Sequence, residues 1–536
     1  MLPSGTTLEE VRNQFSWEIP EQYNMAVDVC DRWAISVPDQ IAIIHDREDQ
    51  IEEVSFAELR ARSNRLANLL VELGIQRGDR VGILLPQNPW TAVAHIAVWK
   101  LAGISIPLFT LFGEEALEYR LKDSGSRAII TNHEGLLKLA PIRDKLNNVN
   151  QYLCIDETSE SSLELLSELP RCSEQFETVN TKSDDPALII YTSGTTGSPK
   201  GTLHAHRSLI GHLPGVEMSH DFLPQEGDKL WTPADWAWIG GLMDVLMPSL
   251  YHAVPIVSYR MPKFDGEIAF EFIQKHSIRN AFIPPTALKM MRMVWNKDKH
   301  KIHMRSIASA GESLGAELLE WGREAFDLWI NEFYGQTECN MIVSSCGVLA
   351  PPEPGVMGFS VPGHDVQVID ESGISLQPNQ VGQIAVRNTT PVMFLEYWNR
   401  PEDTREKYLD EWLLTGDTGM FVESGAIRFV GRNDDVITSA GYRIGPGEIE
   451  NCLLGHPAVA ICAVIGKADP MRTEIVKAFV RVNEGYEESE SLILELQKWV
   501  KSRLSPHEYP REIAFIEEFP LTATGKIIRR KLREIA

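Results

Sequence analysis

The first two hundred residues alternate short apolar runs with amphipathic stretches. Strand-like runs occur at Arg80 to Leu85, Ile104 to Leu108, Arg127 to Thr131 and Ala187 to Tyr191. Between the first two runs, Trp90 to Leu101 carries apolar residues at helical spacing. Buried strands separated by helices are typical of βαβ units. The pattern therefore predicts an α/β fold with a largely parallel sheet.

The pattern changes after Pro351, where the apolar runs become shorter and turns become frequent. Residues Gly, Asn and Pro separate these runs, which indicates a β-rich subdomain of the large N-terminal domain. The predicted strands are Val366 to Ile369, Gln383 to Val386 and Ile427 to Val430.

The C-terminal segment has an α/β pattern of its own. It predicts strands at Ala460 to Ile465 and Val476 to Val482, and a helix at Ser491 to Leu504. A polar turn at Gly431 to Asp435 precedes this segment. We therefore expect a large N-terminal domain, residues 1–433, and a small C-terminal α/β domain, residues 434–536.

The charge balance excludes some classes of partner. The net charge is −24, from 51 Lys and Arg against 75 Asp and Glu. Nucleic-acid binding and docking on anionic membranes both need a basic surface, so neither is expected. The seven cysteines are scattered and form no CxxC pair, which favours thiols in a reducing compartment.

The chain also lacks the usual signals for export or membrane insertion. The N-terminal stretch carries Glu9 and Glu10 and no apolar run. The most apolar long stretch, Gly241 to Tyr259, is interrupted by charged residues and prolines. These features predict a cytoplasmic protein without a membrane span.

The strongest local signal is the run YTSGTTGSPKG, from Tyr191 to Gly201. Small residues allow successive backbone N–H groups to turn toward an anion, and the hydroxyls and Lys200 add donors and charge. The spacing differs from a Walker A motif, because Pro199 precedes the lysine and Gly201 follows it. The run predicts a loop for the phosphates of a nucleotide, rather than a flexible surface loop.

This loop resembles the phosphate-loop signature of the adenylate-forming superfamily, which includes acyl-CoA synthetases, peptide-synthetase adenylation domains and luciferases. Further segments resemble the family's signatures in the family's order. They are AGES (Ala310 to Ser313), FYGQTE (Phe333 to Glu338), TGD (Thr415 to Asp417), GRNDDVITSAGYRIGPGEIE (Gly431 to Glu450) and LTATGKIIRRKL (Leu521 to Leu532). The stretch Phe15 to Trp33 and FYGQTE are most similar to medium-chain acyl-CoA synthetases.

The resemblance implies binding sites for ATP, Mg²⁺ and coenzyme A, the last as a co-substrate. The implied catalytic residues are Lys526, Lys200, Thr337 and Glu338, and the implied metal ligands are Thr195 and Glu338. The implied coenzyme A contacts are Gly441 and Arg443, although Ala440 stands where family members commonly have Ser. The implied nucleotide contacts are Thr192, Ser193, Gly194, Thr195, Thr196, Gly197, Lys200, Gly311, Glu312, Ser313, Glu332, Phe333, Tyr334, Gly335, Gln336, Thr337, Asp417 and Arg432.

Each implied role has a chemical reason and a plainer alternative. Asp417 suits the ribose hydroxyls because a carboxylate only accepts hydrogen bonds, although it could also cap a turn. Glu338 is a hard oxygen ligand suited to Mg²⁺, or a solvated surface carboxylate. Gly311 permits close approach to adenine, whereas Glu312 alone could belong to a routine strand-end turn. Lys526 would stabilise charge at the α-phosphate, or be one lysine of a basic C-terminus.

The implied reaction has two half-reactions. The acid and Mg·ATP first give an acyl-adenylate and pyrophosphate, and the coenzyme A thiolate then displaces AMP. The resemblance implies that a mobile C-terminal domain rotates about Asp434, so that Lys526 serves the first step and the face around Gly441 serves the second.

The acid should lie against Trp236, Trp238, Ile239, Ala310 and Gly335. The alternative for the two tryptophans is that they are ordinary aromatic residues of the core. Acetate-specialised relatives carry Trp where Gly335 stands, so Gly is expected to open a deeper cavity. We therefore expect a short- to medium-chain, branched or aromatic monocarboxylic acid.

Four other functions are alternatives to coenzyme A ligation. A carrier protein could accept the acyl group instead of coenzyme A, and a luciferase-like oxygenase is disfavoured by the medium-chain resemblance. A non-catalytic nucleotide-binding protein is disfavoured because Lys526, Lys200 and Glu338 are all present. A nucleic-acid ligase is disfavoured by the negative charge. The pair His204 and His206, which follows the phosphate loop, lacks a third metal ligand and is expected to be structural.

Overall fold

Three β-sheets organise the chain in a computed structural model of the protein. It describes residues 1–47, 50–156, 162–192, 199–261, 263–432, 435, 437–439, 442–469, 472–504, 509–521 and 526–536, with the backbone alone at residues 438, 442, 443 and 448. All of the strands and helices predicted from the apolar pattern are present in this structure, which confirms the α/β class.

The strands are, in chain order, β1 (Ile41–Asp46), β2 (Ile51–Ser55), β3 (Arg80–Leu84), β4 (Ile104–Pro107), β5 (Ala128–Thr131), β6 (Gln151–Cys154), β7 (Leu163–Glu164), β8 (Pro186–Thr192), β9 (Lys200–Ala205), β10 (Leu230–Trp231), β11 (Ile256–Ser258), β12 (Asn280–Phe282), β13 (Ser306–Ser309), β14 (Ile330–Gln336), β15 (Cys339–Ser344), β16 (Val356–Ser360), β17 (Val366–Ile369), β18 (Gly382–Arg387), β19 (Glu396–Tyr397), β20 (Tyr408–Leu409), β21 (Trp412–Phe421), β22 (Ile427–Arg432), β23 (Ile437–Ser439), β24 (Tyr442–Ile444), β25 (Val459–Asp469), β26 (Thr473–Val482) and β27 (Glu512–Phe515).

The α-helices are α1 (Leu8–Gln14), α2 (Arg32–Ser36), α3 (Phe56–Glu72), α4 (Pro89–Lys100), α5 (Glu114–Ser124), α6 (His133–Leu139), α7 (Leu165–Glu168), α8 (Ser208–Ser219), α9 (Ile239–Gly241), α10 (Met247–Tyr251), α11 (Gly266–His276), α12 (Pro285–Val294), α13 (Ala316–Phe326), α14 (Pro401–Glu406), α15 (Pro446–Leu454), α16 (Glu490–Arg503) and α17 (Arg529–Glu534). Short π-helical segments occupy Val27–Asp31 and Leu242–Leu246, and 3₁₀ segments occupy Ala140–Lys145 and Leu169–Arg171.

The largest sheet has the order β17-β18-β21-β22-β16-β15-β14-β13-β12-β10-β11-β1-β2, with β20 against β21. Its strands from β14 through β13, β12, β10 and β11 to β1 are parallel, and the pairs from β14 to β15 and onward are antiparallel. The strands of the predicted β-rich subdomain therefore continue the parallel sheet. In this order, β22, β16 and β15 lie between β21 and β14.

The second sheet has the order β19-β9-β8-β4-β3-β5-β6-β7. Its strands from β8 to β7 are parallel, and β9 turns back antiparallel to β8. The predicted phosphate loop therefore connects the two strands of a hairpin at the end of this sheet.

One apolar core joins the two large sheets and the helices between them. It includes Ile43 of β1, Val81 of β3, Leu66 of α3, Val98 of α4 and Leu213 of α8. Burying an aliphatic side chain of this size contributes about 1.5–3 kcal/mol. The two large sheets are therefore held as one body.

The third sheet belongs to the C-terminal segment and has the order β24-β23-β26-β25, with β27 parallel to β26. Helices α15 and α16 cover it and share a separate apolar core that includes Leu453, Val464 and Leu496. A separate core is the property expected of a small domain.

The described helices include none that is long and apolar enough to cross a membrane. All seven cysteines lie in the described ranges, and no disulfide joins any two of them.

Candidate active site

Asp417 of the TGD segment, on β21, is fixed by two side chains of FYGQTE. Its Oδ2 accepts hydrogen bonds from the Tyr334 hydroxyl, at 2.6 Å, and from Gln336 Nε2, at 2.7 Å. Its Oδ1 lies 3.9 Å from Arg432 Nε. Burial raises the pKa of Asp417, while Arg432 and the two hydrogen bonds lower it. The site therefore holds a rigid acceptor with one oxygen still available to a ligand.

The turn around Asp417 is stabilised by a different side chain. The backbone N–H of Asp417 donates to the Thr415 hydroxyl at 3.1 Å, and that hydroxyl donates to the Ile384 carbonyl at 2.7 Å. The Thr415 hydroxyl, and not the Asp417 carboxylate, therefore accepts the N–H of Asp417 in this turn.

The AGES segment forms an open edge of the same site. The surface between AGES, FYGQTE and Asp417 is called the cleft below. Gly311 has φ of 97°, a conformation that favours glycine, and a Cβ atom built there would lie 3.3 Å from the Trp238 ring. The exposed Glu312 accepts hydrogen bonds from the Thr286 hydroxyl at 2.9 and 3.1 Å, and Ser313 is half-buried. Gly311 thus lets the backbone lie flat against an aromatic ring.

Lys526 reaches this cleft from the C-terminal segment. Glu312 and Asp417 attract its ammonium group and Arg432 repels it, so all three lie within electrostatic reach. The surrounding protein lowers the pKa of Lys526, and the two carboxylates oppose that change. The side chain is nevertheless exposed, which is the state expected of a lysine at the mouth of an open cleft.

The C-terminal segment also contacts the large body near AGES. A Cβ atom built on Gly315, just before α13, would lie 3.6 Å from Asn451 Oδ1 of α15. A Cβ atom built on Gly455 would lie 3.8 Å from Glu317 Oε1. These contacts hold the C-terminal domain beside AGES.

Lys200, at the start of β9, is held at the base of the phosphate loop. Its Nζ lies 2.7 Å from Asp403 Oδ1 and 5.1 Å from the centre of the Tyr397 ring. The hydrogen bond from Lys200 lowers the pKa of Asp403. The Tyr397 hydroxyl donates to Glu338 Oε1. Lys200 and Glu338 therefore lie on opposite sides of one tyrosine.

Thr337 and Glu338 form the turn between β14 and β15. Glu338 is 8% exposed, so its alternative as a solvated surface carboxylate is wrong. A Cβ atom built on Gly335 would lie 2.5 Å from the Met341 backbone nitrogen and 2.8 Å from Asn340 Oδ1. Glycine is therefore required at 335 by backbone packing, in addition to any role in a cavity.

The start of β14 supplies two more predicted residues. Glu332 is buried, and burial raises its pKa to about 8, although a hydrogen bond from the Leu314 backbone opposes the rise. Phe333 is also buried, and its ring centre lies 5.2 Å from that of Phe282. Both side chains therefore form the wall behind the cleft and are not on its surface.

The predicted acyl residues separate into a core group and a cleft group. Trp236 is 1% exposed within the main apolar core, and its Nε1 has no partner among the described residues. Trp238 lies between Gly311 and Phe282, and the centre of its ring is 5.9 Å from the centre of the Phe282 ring. The neighbouring Ile239 and Ala310 are 4% and 7% exposed. Trp238 is therefore the tryptophan that lies closest to AGES.

Several predicted positions lie outside the described residues. They are Ser193, Gly194, Thr195, Thr196, Gly197, Asp434 and Gly441, together with the side chain of Arg443. The flanking Thr192 is half-buried at the end of β8, and its hydroxyl lies 3.5 Å from the Lys200 carbonyl oxygen.

Four residues at the site were missed by sequence reasoning: Asp403, Tyr397, Thr286 and Phe282. Asp403 is 203 residues from Lys200, and Tyr397 is 59 residues from Glu338. Their partners are set by the pairing of β19 with β9, which no local pattern indicates. His204 and His206 are both buried, which agrees with their expected structural role.

Comparison with known families defines the class of protein. The family model "AMP-binding enzyme" matches residues 30–398, more than half of the chain. The family model "AMP-binding enzyme C-terminal domain" matches residues 448–526. The two matches fall on the large body and on the C-terminal segment. The protein is therefore an AMP-binding enzyme with both parts of that class.

Individual relatives define the family further. The mouse "Acyl-coenzyme A synthetase ACSM3, mitochondrial" is 33% identical over 98% of this chain and 93% of its own, and the Bacillus subtilis acetyl-coenzyme A synthetase is 32% identical over 95% and 90%. Among solved structures, the anthranilate CoA ligase AuaEII in complex with anthranoyl-AMP has a TM-score of 0.89 at 28% identity, covering 96% of this chain and 98% of its own. A benzoate CoA ligase from Burkholderia xenovorans LB400 has a TM-score of 0.84 at 26% identity, covering 95% and 100%. The chain belongs to the AMP-forming acyl-CoA synthetases, which join a carboxylic acid to coenzyme A through an acyl-adenylate.

Proposed function

We propose that the enzyme acts on a short- to medium-chain, branched or aromatic monocarboxylic acid. The observation that supports this substrate class is Gly240, which presents no side chain beside Trp238 and Phe282. The predicted acyl residue Gly335 also lacks a side chain. A Cβ atom built on Gly240 would lie 3.1 Å from the Phe282 ring and 3.3 Å from the Trp238 ring. Two solved relatives are named for benzoate and anthranilate, which are aromatic acids, whereas one sequence relative is named for acetate.

The nucleotide roles follow from the positions of the described residues. Asp417 accepts hydrogen bonds from the ribose hydroxyls, because its Oδ2 is held by two donors and its Oδ1 lies 3.9 Å from Arg432 Nε. Gly311 to Ser313 and Tyr334 enclose the adenine, and the buried Phe333 lies behind them. Lys200 and the hydroxyl-rich run that precedes it bind the β- and γ-phosphates.

Glu338 and Thr195 would hold the Mg²⁺ that accompanies ATP. The fit rests on Glu338, a buried carboxylate with Oε1 held by Tyr397 and with capacity left for a hard cation. Across the described part of the chain, no group of three or more His, Cys, Asp or Glu residues forms a metal site of its own. Mg²⁺ commonly uses one or two carboxylates together with substrate phosphates, where it neutralises developing charge.

Lys526 stabilises negative charge at the α-phosphate while the acid carboxylate attacks it. Its position near Glu312 and Asp417 supports a role in this first half-reaction. Gly441 and Arg443 serve coenzyme A in the second half-reaction, after the C-terminal domain has rotated.

The proposed boundary at residues 433 and 434 is supported by the ion pairs on its two sides. Arg432 faces Asp417 of the large body. Asp435 is bound instead by Arg533, at 2.6 Å, and lies 3.6 Å from Arg529, both in the C-terminal domain. A rotation about Asp434 would leave both sets of contacts within their own domains. A cytoplasmic location stays a prediction from the sequence.

The test is pyrophosphate release across a panel of acids, with and without coenzyme A. The panel runs from acetate to octanoate and includes isobutyrate, benzoate and phenylacetate. We expect the highest kcat/KM for an acid larger than acetate, with product formation dependent on coenzyme A. Acetate as the best acid would contradict the substrate class, and turnover with a carrier protein alone would favour the other acceptor.

A variant sharpens the same test. Gly240→Ala should lower kcat/KM for the bulky acids about tenfold and spare acetate, because one methyl group in an apolar pocket changes binding by about 1–3 kcal/mol. Gly113→Ala is the matched control, since a Cβ atom there meets nothing within 4 Å. Equal losses for acetate and benzoate in Gly240→Ala would show that Gly240 does not face the acid.

A further inference from the structure

A cluster of buried polar side chains lies directly behind the two glycines of the acyl pocket. Asn340 Nδ2 donates to both carboxylate oxygens of Asp244, at 2.7 and 2.9 Å. The Oδ1 of Asn340 lies 2.8 Å from the position of a Cβ atom on Gly335. Asp244 follows Gly240 by four residues, and such a spacing places two positions on one helix face. Gly240 and Gly335 therefore put no side chain between the acyl pocket and this cluster.

His212 of α8 forms the third side of the cluster and has an unused hydrogen-bonding atom. It is wholly buried, and its Nδ1 lies 2.6 Å from the Ser208 carbonyl oxygen. Since a carbonyl only accepts, Nδ1 carries the proton and Nε2 is an acceptor. Nε2 has no hydrogen-bond partner in the described part of the chain and lies 3.9 Å from Asp244 Oδ1.

The position of Asp244 in the helix also supports a functional cluster. It is the central residue of the π-helical segment Leu242–Leu246, and such segments often occur at functional sites. Burial raises the pKa of Asp244 and lowers the pKa of His212 to about 4. Burial therefore favours the uncharged form of both groups, and in that form the cluster offers one O–H donor and one nitrogen acceptor.

We propose that Asp244, Asn340 and His212 form a polar subsite at the end of the acyl pocket, and that the preferred acid carries a hydroxyl group distal to its carboxylate. This inference rests on the proposed function, because it places the acyl group between Gly240 and Gly335. Asp244 and His212 are too far apart for a direct hydrogen bond, yet one oxygen atom can contact both.

The chemistry of the cluster selects a hydroxyl group over other substituents. A hydroxyl can donate to His212 Nε2 and accept from Asp244 in the uncharged form that burial favours, so both unused capacities are filled. A carbonyl cannot donate, and a second carboxylate would bring a buried charge without a cationic partner. An apolar end would leave His212 Nε2 without a partner, which costs free energy in a buried place. A water molecule has the same hydrogen-bonding capacity and is the alternative occupant.

The experiment compares matched pairs of acids on the purified enzyme. Benzoate is compared with 3- and 4-hydroxybenzoate, and hexanoate with 6-hydroxyhexanoate, by coenzyme A-dependent pyrophosphate release. We expect kcat/KM to be at least about tenfold higher for one hydroxylated member than for its plain partner, because sites built for a hydroxyl reject analogues that lack it. Each ratio is measured on one preparation, so the active fraction of enzyme cancels.

Asp244→Asn and His212→Asn should each reduce that ratio about tenfold, by removing one of the two bonds to the hydroxyl. The matched control is Asp221→Asn. Asp221 is also a buried aspartate that accepts from an asparagine, Asn331, at 3.0 Å, and burial also raises its pKa. This control should lower stability without changing the ratio.

The outcomes separate this inference from the proposed function. Turnover of plain acids with no preference for hydroxylated partners would overturn the subsite and leave the proposed function intact, with water as the occupant. A hydroxyl preference that survives in both variants would also overturn it. Absence of pyrophosphate release for every acid would overturn the proposed function and the subsite together.

Discussion

The two charged groups at the centre of the site are positioned in opposite ways. Asp417 is 5% exposed on β21, and side-chain donors from β14 hold it. Lys526 is exposed and comes from the C-terminal domain, next to residues outside the described range. A group that serves one step can be brought by a moving domain, whereas a group that holds the nucleotide throughout is best built into a sheet. The contrast predicts that Lys526 acts in one half-reaction and Asp417 in both.

The largest effect is expected from Lys526→Ala. Loss of one charge that stabilises a transition state typically costs about 10²–10³-fold in rate. The rate of adenylate formation, measured as pyrophosphate release in a single turnover, should fall by that factor. Transfer of the acyl group from supplied acyl-adenylate to coenzyme A should stay near the wild-type rate.

The control for this variant is Lys531→Ala, an exposed lysine of α17 in the same domain. It should leave both half-reactions unchanged. Equal losses in both half-reactions for Lys526→Ala would remove the contrast, and an unchanged rate of adenylate formation would remove Lys526 from the mechanism.

Asp417→Asn should affect both half-reactions, because the ribose stays bound through both. Hydrogen bonds to a charged acceptor contribute about 1.5–3 kcal/mol, so we expect a loss of about 10–100-fold in kcat/KM for ATP. The measurement is the single-turnover rate of each half-reaction. A loss confined to adenylate formation would show that Asp417 does not hold the ribose during transfer.

Tyr334→Phe should give a smaller loss, about three- to tenfold, because Gln336 still donates to Asp417. The Tyr334 hydrogen bond lowers the pKa of Asp417, so its removal should raise that pKa. As pH falls, the loss of kcat/KM for ATP should therefore begin at a higher pH in the variant than in the wild type. Coincident pH profiles would mean that the hydroxyl does not support the carboxylate.

The smallest effect concerns stability and the wall behind the site. Burial raises the pKa of Glu332 from 4.5 to about 8, so the folded state keeps a proton that the unfolded state releases. Stability should therefore fall as pH rises from about 4.5 to about 8, and level off above that range. Glu332→Gln should remove this part of the pH dependence, by a few degrees in Tm. Glu320→Gln, at an exposed position of α13, is the control and should follow the wild type at every pH.

Most residues of the candidate site could be named from the sequence, because they lie in short ordered motifs. The neighbours Tyr334 and Gln336 were named with Asp417 because FYGQTE and TGD follow the family's order. Sequence reasoning could not find Asp403 or Tyr397, since their contacts with Lys200 and Glu338 depend on one pair of β19 with β9. The sequence pattern also treated the β-rich subdomain as separate from the parallel sheet, whereas its strands continue that sheet in the structure. Local alternation carries no information on which strand edges pair.

The sequence by itself determined the α/β class, the positions of the strands that it predicted and the family, because apolar periodicity and motif order are local properties. Only the tertiary structure decided that Lys200 lies beside Asp403, and that the Tyr397 hydroxyl donates to Glu338. Those contacts join residues far apart in the chain. Their energies depend on burial and distance, which exist only once the sheets have closed around them.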